Sequence, residues 1–145
     1  MIDVRSLRIG NWVIHSSFAK PVQIEGVDTN GSLIMLPNEH GEGGVWNYLE
    51  GANPIPITPE ILEACGFDYH GDEYWLPFCR EYDDKTCHLI VGRLVDDPPG
   101  MYYFSVKVPS GTAAINNVYH IHQVQNIAHS ITGKELTYSP NNTVK

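Results

Sequence analysis

The sequence predicts an α+β protein: a short N-terminal β-meander, one short helix, then an antiparallel sheet covered by a C-terminal helix. Three observations predict it. Short stretches alternating apolar and polar residues recur along most of the chain, which is strand periodicity. Thirteen Gly and ten Pro interrupt the chain often enough that its strands must be short. A long helical pattern occurs only in Val118–Leu136, where Ile121, Val124, Ile127, Ala128 and Ile131 fall on one side.

The apolar run Ile9 to Ile14, with Trp12 inside it, reads as the first strand. Val22-Gln-Ile-Glu alternates with period two, so one face is buried. Asp28-Thr-Asn-Gly31 is a turn with Gly where a positive φ is needed, and Leu33-Ile-Met-Leu36 is the partner strand of a hairpin. Asn38 to Gly44 is a Gly-rich loop. Asn53-Pro-Ile-Pro-Ile-Thr-Pro59 is extended, because a residue before proline is pushed out of the helical region.

Thr58 to Gly66 is a short helix with clear punctuation: Thr58 caps, Pro59 takes the first helical position, Glu60 suits the positive end and Gly66 stops it. Ile61 and Leu62 are expected to face the core. Phe67–Tyr69 and Tyr74–Leu76 flank a hairpin-like turn at His70-Gly-Asp-Glu73. Cys87–Val91 is a strand, Asp96–Gly100 a turn, and Tyr102–Val108 a strand with Tyr102, Phe104, Val106 and Val108 on one side. The last helix is expected from about Asn117 to Thr132, stopped by Gly133. The expected organisation is a β module with its Pro-rich connector over 1–57, a sheet with two helices over 58–136, and a tail over 137–145.

Composition excludes several classes. With 42% apolar and 18% charged residues in 145, the chain can fold without staples. A formal charge of −8 and nine scattered Lys and Arg disfavour nucleic acid and anionic membranes. No signal-peptide h-region and no membrane-length apolar run is found, so the expected location is the cytoplasm. Three cysteines there are expected as thiols: Cys65 buried, Cys79 and Cys87 near each other across a hairpin.

Three groups of residues also carry a resemblance. They are Leu7-Arg-Ile-Gly-Asn-Trp-Val13, then Pro54-Ile-Pro-Ile-Thr-Pro-Glu-Ile-Leu62 with Cys65-Gly-Phe67, then Ile121-His-Gln-Val-Gln-Asn-Ile127 through Thr132-Gly-Lys-Glu-Leu136. In that order they resemble an uncharacterised family of small proteins of gut bacteria and their prophages. That family's pattern is a Leu-Arg-Ile-Gly-Asn start, a Pro-Ile-Pro-Leu-Thr connector and a His-Gln-Leu-Gln-Asn helix ending Leu-Thr-Gly-Glu-Glu-Leu. The resemblance implies a cytoplasmic protein of a mobile element and no particular activity. Ala128 and His129 stand where that pattern has aromatics, so an aromatic docking role for that part of the helix is in doubt.

No catalytic constellation stands out. On a helix, His120 and His122 point about 200° apart, and His122 and His129 lie roughly 10.5 Å apart along the axis, too far to chelate one ion. His15, His40, His70 and His88 are isolated in sequence. Glu81, Asp83, Asp84, Asp96 and Asp97 sit in expected turns, where acids are solvated. Cys87 and His88 point to opposite sides of a strand and make no dyad. No metal and no cofactor is expected.

The candidate binding residues are His122, Gln125, Asn126 and His129, a polar strip on the last helix, with Trp46 and Trp75 as aromatics near loops. The competing reading makes the strip a boundary that bonds back to a sheet edge. The favoured function is a non-enzymatic interaction module meeting a host or phage protein. The alternative is a small metal-dependent or hydrolytic enzyme, which requires the scattered His and carboxylates to converge.

Overall fold

Glycine and proline divide the chain as their spacing dictates. The computed structural model describes residues 2–30, 32–38, 40–78, 87–93 and 98–138. The fold is α+β, with three antiparallel sheets, one short helix and a C-terminal helix. Cys79, Glu81, Asp83, Asp84, Asp96 and Asp97 lie outside the described residues, as does Gly31. No helix among the described residues is long and apolar enough to cross a membrane.

The chain gathers into two compact units. One is Met1–Ile55 with His120–Ile127, the other Pro56–Tyr119 with Ala128–Lys145.

In the first unit, β1 (Trp12–His15) lies between β2 (Val22–Gln23) and β6 (Ala52–Asn53). A second sheet has β4 (Leu33–Pro37) between β3 (Gly26–Asp28) and β5 (Gly44–Tyr48). The expected turn joins a hairpin, but its first strand is β3 rather than Val22–Glu25, since Val22 and Gln23 pair with β1; Ser32 takes a left-handed φ of 52° in the turn. Ile2, Leu7, Val13, Val22, Ile24, Ile34, Leu36, Leu49 and Ala52 form the core.

In the second unit, α1 (Pro59–Ala64) begins where expected. The Ile61 N–H donates to Thr58 Oγ1 at 3.2 Å, which satisfies a helix-end donor. Gly66, at φ 93°, ends it. Leu62 is fully buried, whereas Ile61 is only half-buried. The five-stranded sheet follows in the order β11 (Gly111–Val118), β10 (Tyr102–Val108), β9 (Cys87–Gly92), β8 (Glu73–Phe78), β7 (Asp68–His70). Leu89, Val91, Tyr102 and Phe104 are buried on one face; Trp75, His88, Tyr103 and Lys107 alternate to the other.

The last helix is shorter than its sequence pattern. α2 covers Ile121–Thr132, and Asn117 and Val118 instead finish β11, where Val118 pairs with Tyr102 and is buried. Strand pairing wins there because it buries Val118 where a helix would have to start on two Asn, poor helix formers. His120 takes the capping place, and its N–H donates to Gln123 Oε1 at 3.0 Å, half of a capping box. At the other end Gly133, at φ 72°, donates its N–H to the His129 carbonyl at 2.8 Å.

Candidate functional site

Three members of the polar strip on α2, His122, Gln125 and Asn126, are engaged within the first unit. After Leu7 the chain turns tightly, with Gly10 at φ 98° and the Arg8 N–H donating to Asn11 Oδ1 at 2.7 Å. Such a turn leaves backbone groups without a strand partner, and α2 supplies side chains in place of one. Gln125 is fully buried; its Oε1 accepts from the Trp12 N–H at 3.0 Å, and its Nε2 donates to the Gly10 carbonyl at 3.1 Å. Asn126 Oδ1 accepts from Asn11 Nδ2 at 2.8 Å and Arg8 Nε at 3.1 Å, while its Nδ2 donates to the Ser6 carbonyl at 2.9 Å. The Leu-Arg-Ile-Gly-Asn start and the His-Gln-Val-Gln-Asn helix thus meet in space.

His122 is buried beside them, its Nε2 3.5 Å from Ser6 Oγ. Its Nδ1 has no hydrogen-bonding partner among the described residues. Because His120 precedes the helix, its ring is not turned away from His122 as a helical position would dictate; the two stack with centroids 5.9 Å apart and planes 8° apart. Burial, and then the neighbouring His120, push the His122 pKa down to about 4, so its imidazole is neutral. His129 is apart from this group: in the second unit its Nε2 lies 3.8 Å from Glu135 Oε1, both half-exposed.

Trp46 lies on the solvent side of the β3–β4–β5 sheet. The register places Gly26, Met35 and Trp46 in one row and Leu33 beside Tyr48 in the next. A Cβ on Gly26 would lie 3.1 Å from Met35 Cβ and 3.4 Å from Trp46 Cη2, so the indole reaches across β4 over a position kept bare for it. Trp46 remains 47% and Tyr48 73% exposed. This sheet therefore carries apolar side chains on both faces, with Asp28 at the β3 end of the Leu33–Tyr48 row. Ile34 and Leu36 fill the core, while Leu33, Met35, Trp46 and Tyr48 form the outer surface, where a half-buried antiparallel sheet normally turns polar residues.

Trp75 sits in a different environment, on the polar face of the five-stranded sheet. The Lys107 ammonium lies 4.7 Å from its ring centroid. His70 and His88 approach the ring at 4.9 and 5.0 Å. Its indole N–H donates to Glu73 Oε1 at 3.3 Å, and Tyr103 OH donates to Glu73 Oε2 at 2.7 Å. Gly92 makes room for that last bond, since a Cβ there would lie 2.5 Å from Tyr103 Oη. Burial first, then the Lys107 and His70 charges, hold the His88 pKa down.

Two of the scattered histidines, His70 and His88, thus come together with a carboxylate. His15 and His40 do not join them. His15 is buried in the first unit, its Nε2 3.1 Å from the Tyr48 carbonyl and its Nδ1 accepting from the Ser17 N–H at 3.1 Å. His40 is exposed in the β4–β5 loop. Among the described residues no group of three or more His, Cys, Asp or Glu could hold a metal ion. A cavity of about 310 Å³ in the second unit is lined by Cys65, Leu76, Phe78, Leu89, Ala128 and Leu136, among others. Burial pushes the Cys65 thiol up to about 12, so it is no nucleophile at neutral pH.

Sequence reasoning did not single out Arg8 and Asn11 as partners of the strip, nor Glu73, Tyr103 and Lys107 around Trp75. Nor did it single out Leu33 and Met35. The signal for these two was present: Leu33-Ile-Met-Leu36 has no polar residue in alternation, so both of its faces had to be apolar. Comparison with protein-family profiles, curated proteins and solved structures gives no match.

Proposed function

We propose that this chain is a non-enzymatic protein-interaction module of a prophage or related mobile element, working in the cytoplasm and docking a host or phage protein. The observation that carries the reading is the outer face of the β3–β4–β5 sheet, where Leu33, Met35, Trp46 and Tyr48 form a contiguous apolar surface around two exposed aromatics. Apolar patches built on tryptophan and tyrosine are the usual anchors of protein interfaces, and a rigid strand presents them at little entropic cost. Trp75 has its ring and N–H occupied by neighbours, and the α2 amides are occupied by the Ser6–Trp12 segment. Trp46 is thereby the anchor of the proposed surface. The sequence resemblance supports the mobile-element setting.

The test is capture of a partner from host lysate by the wild type and by Trp46→Ala, with both proteins' unfolding measured alongside. Truncating a central aromatic is expected to weaken capture by about thirtyfold or more while the protein stays folded. Undiminished capture by a folded Trp46→Ala protein contradicts the reading.

A further inference from the structure

The two edges of the five-stranded sheet are built in opposite ways. The β7 edge is three residues long and carries Asp68 and His70, a short and polar edge of the kind that discourages further pairing. The β11 edge is the longest strand among the described residues, Gly-Thr-Ala-Ala-Ile-Asn-Asn-Val, exposed from Gly111 to Asn117. It has no charged side chain and no proline, two of the guards of an edge, and its one irregularity is at Ile115, beyond the stretch Gly111–Ala114. A register shift leaves Ile115 without a partner in β10, and its side chain is 45% exposed.

We propose that β11 pairs antiparallel with β11 of a second copy of this chain, about a two-fold axis at Ala113. The register selects this arrangement. Pro109 and Ser110 form a two-residue turn, so Val108/Gly111 and Val106/Ala113 are the hydrogen-bonded pairs of the β10–β11 ladder. Thr112 and Ala114 then direct their N–H and C=O groups away from β10. An axis at Ala113 sets Thr112 of one copy against Ala114 of the other, and four N–H···O=C bonds close across the edge. It also sets Gly111 against Ile115 of the second copy, a bare backbone position against the exposed side chain. Charge points to the same occupant. Two copies at −8 each repel, so a self-contact must be locally neutral, and β11 is. An acidic or basic peptide would find no opposite charge on this strand. The strand belongs to the second unit and Trp46 to the first, and the pairing does not depend on the function proposed for the Trp46 face.

The test is a charge swap on the axis, read by analytical ultracentrifugation. Ala113 is exposed, so Ala113→Glu and Ala113→Lys leave the fold's own packing alone. The wild type is expected to dimerise with concentration. Each variant alone, facing its own like charge, associates about fivefold more weakly or worse. Mixing the two in equal amounts restores association. A wild type that stays at 16.2 kDa at every concentration overturns the proposal, as do variants that dimerise unchanged. Should neither variant fold, hydrogen exchange on the wild type decides. Slower exchange of the Thr112 and Ala114 amides at high concentration supports the pairing, and concentration-independent exchange overturns it.

Discussion

The two units differ in where they place polar and apolar side chains. In the first, the apolar core is joined by buried polar side chains, Asn11, His15, His122 and Gln125, while Leu33, Met35, Trp46 and Tyr48 lie on the outer sheet face. In the second, the core is apolar around Leu62, Leu89, Val91 and Phe104, and the exposed sheet face is a linked polar group of His70, Glu73, His88, Tyr103 and Lys107 around Trp75. The contrast teaches where to look for function. An aromatic whose ring and donor are already occupied is surface architecture, and one that lies over bare backbone and stays 47% exposed, as Trp46 does, is available to a partner.

The difference makes a truncation expensive for different reasons in each unit. Phe104→Ala removes a fully buried ring and should cost about 3–5 kcal/mol in chemical denaturation, the ordinary cavity cost. Gln125→Ala removes fewer apolar atoms yet should cost about 1–3 kcal/mol, because it takes the Gln125 acceptor from the Trp12 N–H and leaves the Gly10 carbonyl with the Gln23 amide alone. A loss below about 1 kcal/mol would mean water replaces the amide, and the polar interior of the first unit would not be what holds it.

Acid should also attack the first unit through His122. Its folded pKa lies near 4 and its unfolded value near 6.5, so the unfolded state binds the proton first. Stability present above pH 6.5 is therefore lost as the pH falls to about 4, and then levels off, by up to roughly 3 kcal/mol. His120 and His88 are shifted in the same direction and add to the slope. Urea titrations at pH 7 and 4.5, repeated on His122→Gln, check this: the variant should show a distinctly flatter pH dependence. An unchanged slope would assign the acid sensitivity elsewhere.

Smaller effects separate the two tryptophans. Trp75→Ala should destabilise by about 2 kcal/mol, since it removes a half-buried ring that four neighbours touch, against about 1 kcal/mol for Trp46→Ala. Lys107→Ala should cost only about 0.5–1 kcal/mol, the worth of an exposed cation–π contact. Thermal melts of the three variants rank them, and a Trp46→Ala loss equal to that of Trp75→Ala would erase the distinction.

Local rules made much of this legible in the sequence. Thr58, Pro59 and Gly66 located α1 because capping acts over a few residues. The alternation of Tyr102–Val108 reproduced β10 to the residue. The strand β11 did not announce itself. Gly111–Val118 has little alternation because it lies at an edge with no core to face, and its last residues were absorbed into the neighbouring helical pattern. The stacking of His120 on His122 followed from that misplaced boundary. Which backbone groups Gln125 and Asn126 would satisfy depends on contacts more than a hundred residues away in sequence, and no local signal encodes them.

The most direct test of the central claim compares the two units in one experiment. A photo-crosslinking amino acid is placed at Tyr48, 73% exposed on the apolar face of the first unit, or at Tyr69, 62% exposed in the second. Each protein is irradiated in host cells. A discrete cross-link to another protein from position 48 and none from position 69 is the expected result. Capture from position 69 with none from 48 would contradict the assignment of docking to the first unit.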